Sequence, residues 1–257
     1  MKKFGLLGEK LGHSYSKIIH NCIFELENID ATYELIECSK DELSKYIELL
    51  KSEKYNGFNV TIPYKKEIMK YLDEISTEAL KIGSVNTVAF CNGKAVGYNT
   101  DYYGFLETLN YYNIDCSGKD CYILGTGGAS LAVKAAITTS GGNPIYVSRN
   151  KDNKENTIDY NDLEKIEEID ILINTTPVGM YPNVDDMPIN INICKKVKVC
   201  VDIIFNPKKT KLLDNVEVGY NGLYMLIGQA VKAEEIWHNK KMNVDYLKIE
   251  KEVASNE

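Results

Sequence analysis

The stretch Cys121-Tyr122-Ile123-Leu124-Gly125-Thr126-Gly127-Gly128-Ala129-Ser130 decides the fold of this chain. Its first four residues read as a buried strand, Gly125 to Gly128 as a tight turn, and Ala129 to Ser140 as a helix of small and apolar residues. That order is the opening of a dinucleotide-binding βαβ unit. The glycines let the backbone approach a pyrophosphate at the helix N-terminus, where free N–H groups and the helix dipole favour negative charge. The match is partial, because Ser130 stands where a third glycine is usual.

About twenty residues further on, the end of the next strand distinguishes one dinucleotide from another, an acid there holding a ribose 2′-hydroxyl. Here the apolar run Ile145-Tyr146-Val147 is followed by Ser148-Arg149-Asn150-Lys151. Arg149 is the one arginine among 30 basic residues. A planar, permanently charged fork suits a phosphate oxyanion, so the expectation is NADP(H), bound through Gly125, Thr126, Gly127, Gly128, Ala129, Ser148, Arg149 and Asn150. A solvated surface arginine after an ordinary parallel strand is the bland alternative.

The 257 residues allow one large or two modest domains. A net charge of −7 with dispersed lysines argues against nucleic acid as the main partner. Seven cysteines without a C-x-x-C pair argue against a disulfide framework or structural zinc and for reduced thiols in the cytoplasm. No apolar stretch is long enough for a membrane helix, and the start of the chain is too short and too interrupted for a signal peptide. His13, His20 and His238 do not cluster in sequence as metal ligands, and no metal is expected. They and Trp237 are assigned to packing.

Strand and helix alternate through the rest of the chain, which predicts an α/β fold with mainly parallel sheets. Strands are expected over 4–8, 33–38 and 57–61, with helices over 16–28, 40–51 and 64–72. Asn92-Gly93 between 86–90 and 94–98 marks a hairpin. A capped helix over 101–112 leads into the glycine turn, with further strands near 170–174 and 198–203. A long helix starting near Gly222 is expected to return to the first half. The predicted division is a first domain of 1–101 plus 223–257 and a Rossmann-like domain of 102–222.

Polar residues gather at the C-terminal ends of the first-half strands, where ligands of open α/β sheets bind: Ser14, Ser16, Asn59, Thr61, Lys65, Asn86, Asn99 and Asp101. The segments Gly12-His13-Ser14-Tyr15-Ser16, Asn59-Val60-Thr61-Ile62-Pro63-Tyr64-Lys65, Gly83-Ser84-Val85-Asn86-Thr87 and Asn99-Thr100-Asp101 together resemble the shikimate dehydrogenase family. The resemblance continues through Asn174-Thr175-Thr176-Pro177-Val178-Gly179-Met180, Asp202 to Thr210 and Gly222-Leu223-Tyr224-Met225-Leu226-Ile227-Gly228-Gln229, and so spans the chain.

The resemblance implies a reversible, NADPH-dependent reduction of 3-dehydroshikimate to shikimate in aromatic amino-acid biosynthesis. It implies substrate contacts from Ser14, Ser16, Thr61, Asn86, Asp101, Phe205 and Gln229, further cofactor contacts from Ile203 and Gly222, and Lys65 with Asp101 as the catalytic pair. The enzyme is expected as a monomer or homodimer. Lys65 on the first turn of a helix would be electrostatically disfavoured, which speaks for a specific role. Asp101 has an ordinary alternative as a helix cap, as do Ser14 and Ser16.

The chain departs from the family pattern at Lys17 (proline is usual), Phe205 (tyrosine), Asn221 (aspartate), and Ser148 and Asn150 (asparagine and threonine). Two other function classes stay open: a quinate/shikimate dehydrogenase accepting NAD, and a non-catalytic dinucleotide sensor. Arg149 speaks against the first, Lys65 and Asp101 against the second.

Overall fold

The computed structural model describes residues 1–12, 14–150 and 156–256. His13 and Lys151 lie outside them. The chain divides into two compact units, one made of Met1–Gly104 and Leu226–Glu257, the other of Phe105–Met225.

The first unit contains β1 (Lys2–Gly8), α1 (Ser16–Leu26), β2 (Ala31–Glu37), α2 (Leu43–Lys51), β3 (Gly57–Val60), β4 (Glu74–Ile75), α3 (Thr77–Ile82), β5 (Thr87–Cys91), β6 (Lys94–Tyr98) and the start of α4 (Thr100–Tyr111). Its sheet has the order β2-β1-β3-β5-β6-β4. β1 is parallel to both neighbours, whereas β3, β5 and β6 are antiparallel. The β5–β6 turn is the expected Asn-Gly turn: Asn92 has φ 51° and Gly93 φ 79°, the two positive values that match the strand twist in a tight hairpin.

Apolar residues cover both faces of this sheet. Leu7, Phe58 and Val60 pack with Leu43, Ile47 and Leu50 of α2 in one cluster. Phe4, Phe24 and Tyr33 form another, against which Trp237 packs. Trp237 belongs to α9 (Leu223–His238), the helix predicted from Gly222 onward, and is followed by α10 (Tyr246–Ala254). The indole stacks on Phe4 at 4.6 Å and donates to the Val88 carbonyl at 3.0 Å. It lies against Gly57, where a Cβ would collide with the ring.

The segment 64–72 differs from expectation. It is a run of turns ending in a 3-10 helix at Ile68–Tyr71, with no α-helix. The cause is competition from distant residues for hydrogen bonds: the Lys65 carbonyl accepts from Val85 N at 2.8 Å, and Tyr64 turns inward to donate its hydroxyl to the Cys38 carbonyl at 2.7 Å. Lys65 is therefore not on an α-helix N-terminus, and no helix dipole opposes its charge there.

The second unit contains most of α4, then β7 (Asp120–Leu124), α5 (Gly128–Thr139), β8 (Asn143–Val147), β9 (Thr157–Ile158), α6 (Tyr160–Lys165), β10 (Ile169–Asn174), α7 (Ile191–Cys194), β11 (Val197–Asp202), α8 (Lys211–Asp214) and β12 (Gly219–Tyr220). Its sheet, ordered β12-β11-β10-β7-β8-β9, is parallel throughout. Such a sheet is covered on both faces and reads as continuous apolar runs; Leu124, Val147, Leu172 and Cys200 are buried with Ile193 and Leu212. The strand order reverses at β7, so the crevice beyond its carboxyl end, next to β10, is where a ligand of an open parallel sheet binds.

Candidate active site

Each unit carries its own polar site. In the first unit, β3, β5 and the start of α4 bring together residues that are far apart in sequence. Lys65 Nζ donates to Asp101 Oδ2 at 2.5 Å, and Asn86 Nδ2 donates to Asp101 Oδ1 at 2.9 Å. Both carboxylate oxygens thus have a donor, one of them charged, and such charge-assisted bonds are about twice as strong as neutral ones. The Lys65 and Asp101 side chains remain partly open, at 18% and 12% exposure, so the pair is reachable by a small molecule.

Why Asp101 is available follows from its neighbour. Asn99 Oδ1 accepts from Tyr102 N at 3.2 Å, while its Nδ2 is held by the Ser84 carbonyl and hydroxyl. Asn99 therefore serves the first turn of α4, and the Asp101 carboxylate is left for Lys65. Asn86 is fixed in turn: its Oδ1 accepts from Thr100 N at 2.6 Å.

Gln229 on α9 meets this cluster, with Thr100 Oγ1 3.4 Å from its Oε1 and its Nε2 donating to the Leu226 carbonyl. Ser14 and Ser16 pair with each other, Oγ to Oγ at 3.2 Å. The residue that caps α1 is Tyr15, which makes no side-chain cap bond, so neither serine is the N-cap. Thr61 is half-buried, its backbone N–H bound to the Leu7 carbonyl. Lys17 is exposed on the first turn of α1.

Tyr33, Thr87 and Thr100 were given no role by the sequence, and Asn59 was named only as a polar group at a strand end. Tyr33 donates to Asn59 Oδ1 at 2.7 Å, and Asn59 Nδ2 donates to Thr87 Oγ1 at 3.0 Å. The partners of Asn59 come from β2 and β5, and only strand pairing reveals them. Of the histidines assigned to packing, His20 and His238 flank a buried Glu234, with His20 Nδ1 2.5 Å and His238 Nε2 3.2 Å from its carboxylate oxygens. Among the described residues no group of three or more His, Cys, Asp or Glu side chains could hold a metal ion.

In the second unit, the glycine turn follows β7 as expected. Gly125 adopts φ 94°, and a Cβ there would press on Thr176 Cγ2 at 2.9 Å, which explains glycine. At Gly127 and Gly128 a Cβ would meet nothing within 4 Å. Their bareness leaves open space at the start of α5, whose N-cap Gly127 makes no side-chain cap bond. Ser130 resolves the missing third glycine: it is fully buried and donates to the Gly127 carbonyl at 2.7 Å.

A cavity of about 590 Å³ runs from Gly125, Thr126 and Gly127 past Ser148 and Arg149 to Thr175, Thr176 and Pro177. Open backbone, free helix-end N–H groups and an exposed guanidinium at its rim fit a dinucleotide with a charged ribose. Ser148 and Asn150 bond to each other, Asn150 N to Ser148 Oγ. Below the cavity, Gly222 passes so close to Ile203 that a Cβ would strike its carbonyl, and Gly222 N donates to the Ile204 carbonyl at 3.0 Å. Phe205 follows β11, half-buried.

The sequence reading did not single out Asn174, Thr176, Asp202 and Thr210. They form one buried network, with Asp202 accepting from Asn174 Nδ2 at 3.0 Å, Thr210 Oγ1 at 2.7 Å and Ile204 N at 3.1 Å. Thr176 donates to Asn174 Oδ1 at 2.7 Å. Burial pushes the Asp202 carboxyl up to about 6, against the lowering effect of these bonds.

Comparison with known proteins agrees in fold and sequence. A family model described as the shikimate dehydrogenase substrate binding domain matches residues 6–88, and one described as the shikimate 5'-dehydrogenase C-terminal domain matches residues 222–248. A Clostridium perfringens protein named shikimate dehydrogenase (NADP(+)) is 46% identical over 256 residues, covering 95% of this chain and 94% of the relative. Shikimate dehydrogenase 1 of Peptoclostridium difficile superposes with a TM-score of 0.88 at 43% identity, covering 100% of this chain and 99% of that one. The Thermus thermophilus enzyme solved with NADP(H) and shikimate superposes with a TM-score of 0.90 at 28% identity, covering 99% of both chains.

Proposed function

The chain belongs to the shikimate dehydrogenase family, and from that premise we propose how its residues divide the work. The reaction is the reversible, NADPH-dependent reduction of 3-dehydroshikimate to shikimate. The observation that carries the assignment of residues is the Lys65–Asp101 pair, held at 2.5 Å with Asn86 on the second carboxylate oxygen.

NADPH, when bound, supplies the hydride. The Gly125–Gly128 turn and the start of α5 would hold its phosphates and Arg149 would bind the ribose 2′-phosphate, with Thr126, Ala129, Ser148, Asn150, Ile203 and Gly222 as further contacts. The substrate is held in the first unit by Ser14, Ser16, Thr61, Asn86, Asp101 and Gln229; no arginine is present there, so hydroxyl and amide groups receive its carboxylate. Phe205 stands where the family has a substrate-contacting tyrosine, and it lacks the hydroxyl.

As the ketone carbon accepts hydride, negative charge grows on its oxygen and must be stabilised and protonated. The Lys65 ammonium does the first, and the Lys65–Asp101 pair supplies the proton. Asp101 orients Lys65 and accepts from a substrate hydroxyl, while Asn86 prevents the carboxylate from rotating away. In the oxidative direction the same pair takes the hydroxyl proton back.

Among the described residues no helix is long and apolar enough to cross a membrane. Cys22, Cys38, Cys91, Cys116, Cys121, Cys194 and Cys200 are all free thiols, which supports a cytoplasmic, reducing location. Light scattering separates the monomer and homodimer.

The deciding experiment follows nicotinamide absorbance with purified protein and shikimate, with NADP⁺ and NAD⁺ in parallel. Reduction of NADP⁺ with little NAD⁺ turnover is the expected outcome. Comparable NAD⁺ turnover, or oxidation of quinate, moves the protein to the quinate/shikimate reading; silence with both leaves a dinucleotide sensor.

A further inference from the structure

We propose that Tyr33 is a positioning residue: its hydroxyl proton closes the far end of a buried hydrogen-bonded chain that runs through Asn59, Thr87 and Asn86 and ends on the Asp101 carboxylate, and so helps to hold that carboxylate in place. The kinetic part of this proposal rests on the dehydrogenase reading above; the structural part does not.

The chain crosses four strands of the first unit. Tyr33 on β2 pairs with Phe4 of β1, and Asn59 of β3 pairs with Leu6. Phe4 and Leu6 are two residues apart and share a face, so Tyr33 reaches diagonally across β1 to Asn59. Asn59 and Thr87 are direct partners in the β3–β5 ladder, which places the amide against the hydroxyl.

Proton counting fixes the direction. A tyrosine hydroxyl has one proton to donate, and an amide side chain can present either its carbonyl or its NH₂ to a neighbour. Tyr33 donates to Asn59 Oδ1 at 2.7 Å, so the Asn59 NH₂ must face Thr87 Oγ1 at 3.0 Å and the Asn86 carbonyl at 3.3 Å. Thr87 Oγ1, already an acceptor, directs its own proton to Asn86 Oδ1 at 3.2 Å or to Thr100 Oγ1 at 3.0 Å. Thr100 Oγ1 also reaches Asn86 Oδ1, at 3.2 Å. Donors thus surround Asn86 Oδ1, and its NH₂ is left to face Asp101.

The Thr100 N–H donates to Asn86 Oδ1 at 2.6 Å and fixes the near end of the chain in the same sense, and Tyr33 fixes the far end. Tyr33, Asn59, Thr87 and Thr100 are at most 4% exposed, so bulk water does not substitute for a lost partner. Burial and the charge of Glu234 raise the Tyr33 hydroxyl well above its ordinary range, keeping it a donor. The ring is clamped from behind: His20 stacks on it at 4.0 Å with planes 7° apart, and Glu234 holds His20.

Tyr33→Phe tests this, because it deletes one oxygen and keeps the stacked ring. The first readout is the side-chain NH₂ resonances of Asn59 and Asn86 in the full-length, ligand-free protein. Both sets are expected to move, although Asn86 does not touch Tyr33, and Thr87→Val is expected to move the Asn86 set in the same way. Movement confined to Asn59 overturns the proposal.

The second readout is kcat for shikimate oxidation, measured well below the melting temperature. A fall of about threefold to tenfold is expected, the range for one neutral hydrogen bond, with no further loss in Tyr33→Phe/Asn59→Leu relative to Asn59→Leu. A change below about twofold, or additive losses in the double variant, overturns it. A wild-type protein inactive with shikimate defeats the dehydrogenase reading instead, and the resonances still decide the role of Tyr33.

Discussion

Asn174 and Asp202 are register partners at the ends of the adjacent parallel strands β10 and β11, and the Asn174 amide donates to the Asp202 carboxylate across them at 3.0 Å. Both side chains are fully buried. Their bond ties the segment Asn174-Thr175-Thr176, which borders the cavity, to the loop that carries Phe205 and Thr210. Two stretches of family-like sequence, 28 positions apart, are one structural device.

The Asp202 carboxyl, raised by burial to about 6 from 3.8, makes stability depend on pH. Its folded value lies above its unfolded value, so the stability it contributes is fully present below about pH 3.8 and is lost as pH rises through about 6. Asp202→Asn keeps the two bonds to Oδ1 and does not titrate. Its unfolding free energy relative to wild type should climb between pH 4 and 6 by about 3 kcal/mol at most and then level off. Urea unfolding across that range checks it; a flat difference would mean that Asp202 titrates normally.

Lys65→Ala should lower kcat by roughly 10²–10⁴ with little change in the KM for shikimate, the pattern of a group acting on transition-state charge. Steady-state kinetics in both directions measure it. Turnover near wild type would remove Lys65 from the proton path.

Arg149→Ala should weaken NADPH by about 1.5–3 kcal/mol, the range for hydrogen bonds to charged groups, and leave NADH nearly untouched. Cofactor titration by fluorescence separates the two. Equal losses with both dinucleotides would place the 2′-phosphate away from Arg149.

Phe205→Tyr should lower the KM for shikimate, since a hydroxyl able to reach a carboxylate adds a charge-assisted bond of about 1.5–3 kcal/mol. An unchanged KM would show that the hydroxyl is not needed in this chain.

Glycines of the second unit should separate by role. Gly222→Ala meets the Ile203 backbone and should destabilise the protein by about 1–3 kcal/mol or more. Gly127→Ala meets nothing within 4 Å; it should leave the melting temperature alone and weaken NADPH, because the methyl fills space intended for the ligand. Thermal melts with and without cofactor distinguish the two.

The sequence by itself determined the α/β architecture, the glycine turn and the β5–β6 hairpin, and it pointed to Lys65, Asn86 and Asp101 as polar groups near strand ends. These signals are local: apolar runs, turn residues with positive φ, and polar groups at strand ends follow from short-range sterics and solvation. Only the tertiary structure decided that segment 64–72 is turns, because the Lys65 carbonyl is taken by Val85, a residue 20 positions away. It alone decided that Asn99 relieves Asp101 of serving the helix end, and that Tyr33 and Asn59 reach toward the Lys65–Asp101 pair. A hydrogen bond across strands depends on which strands pair and in what register, and sequence fixes that only through the packing of the whole sheet.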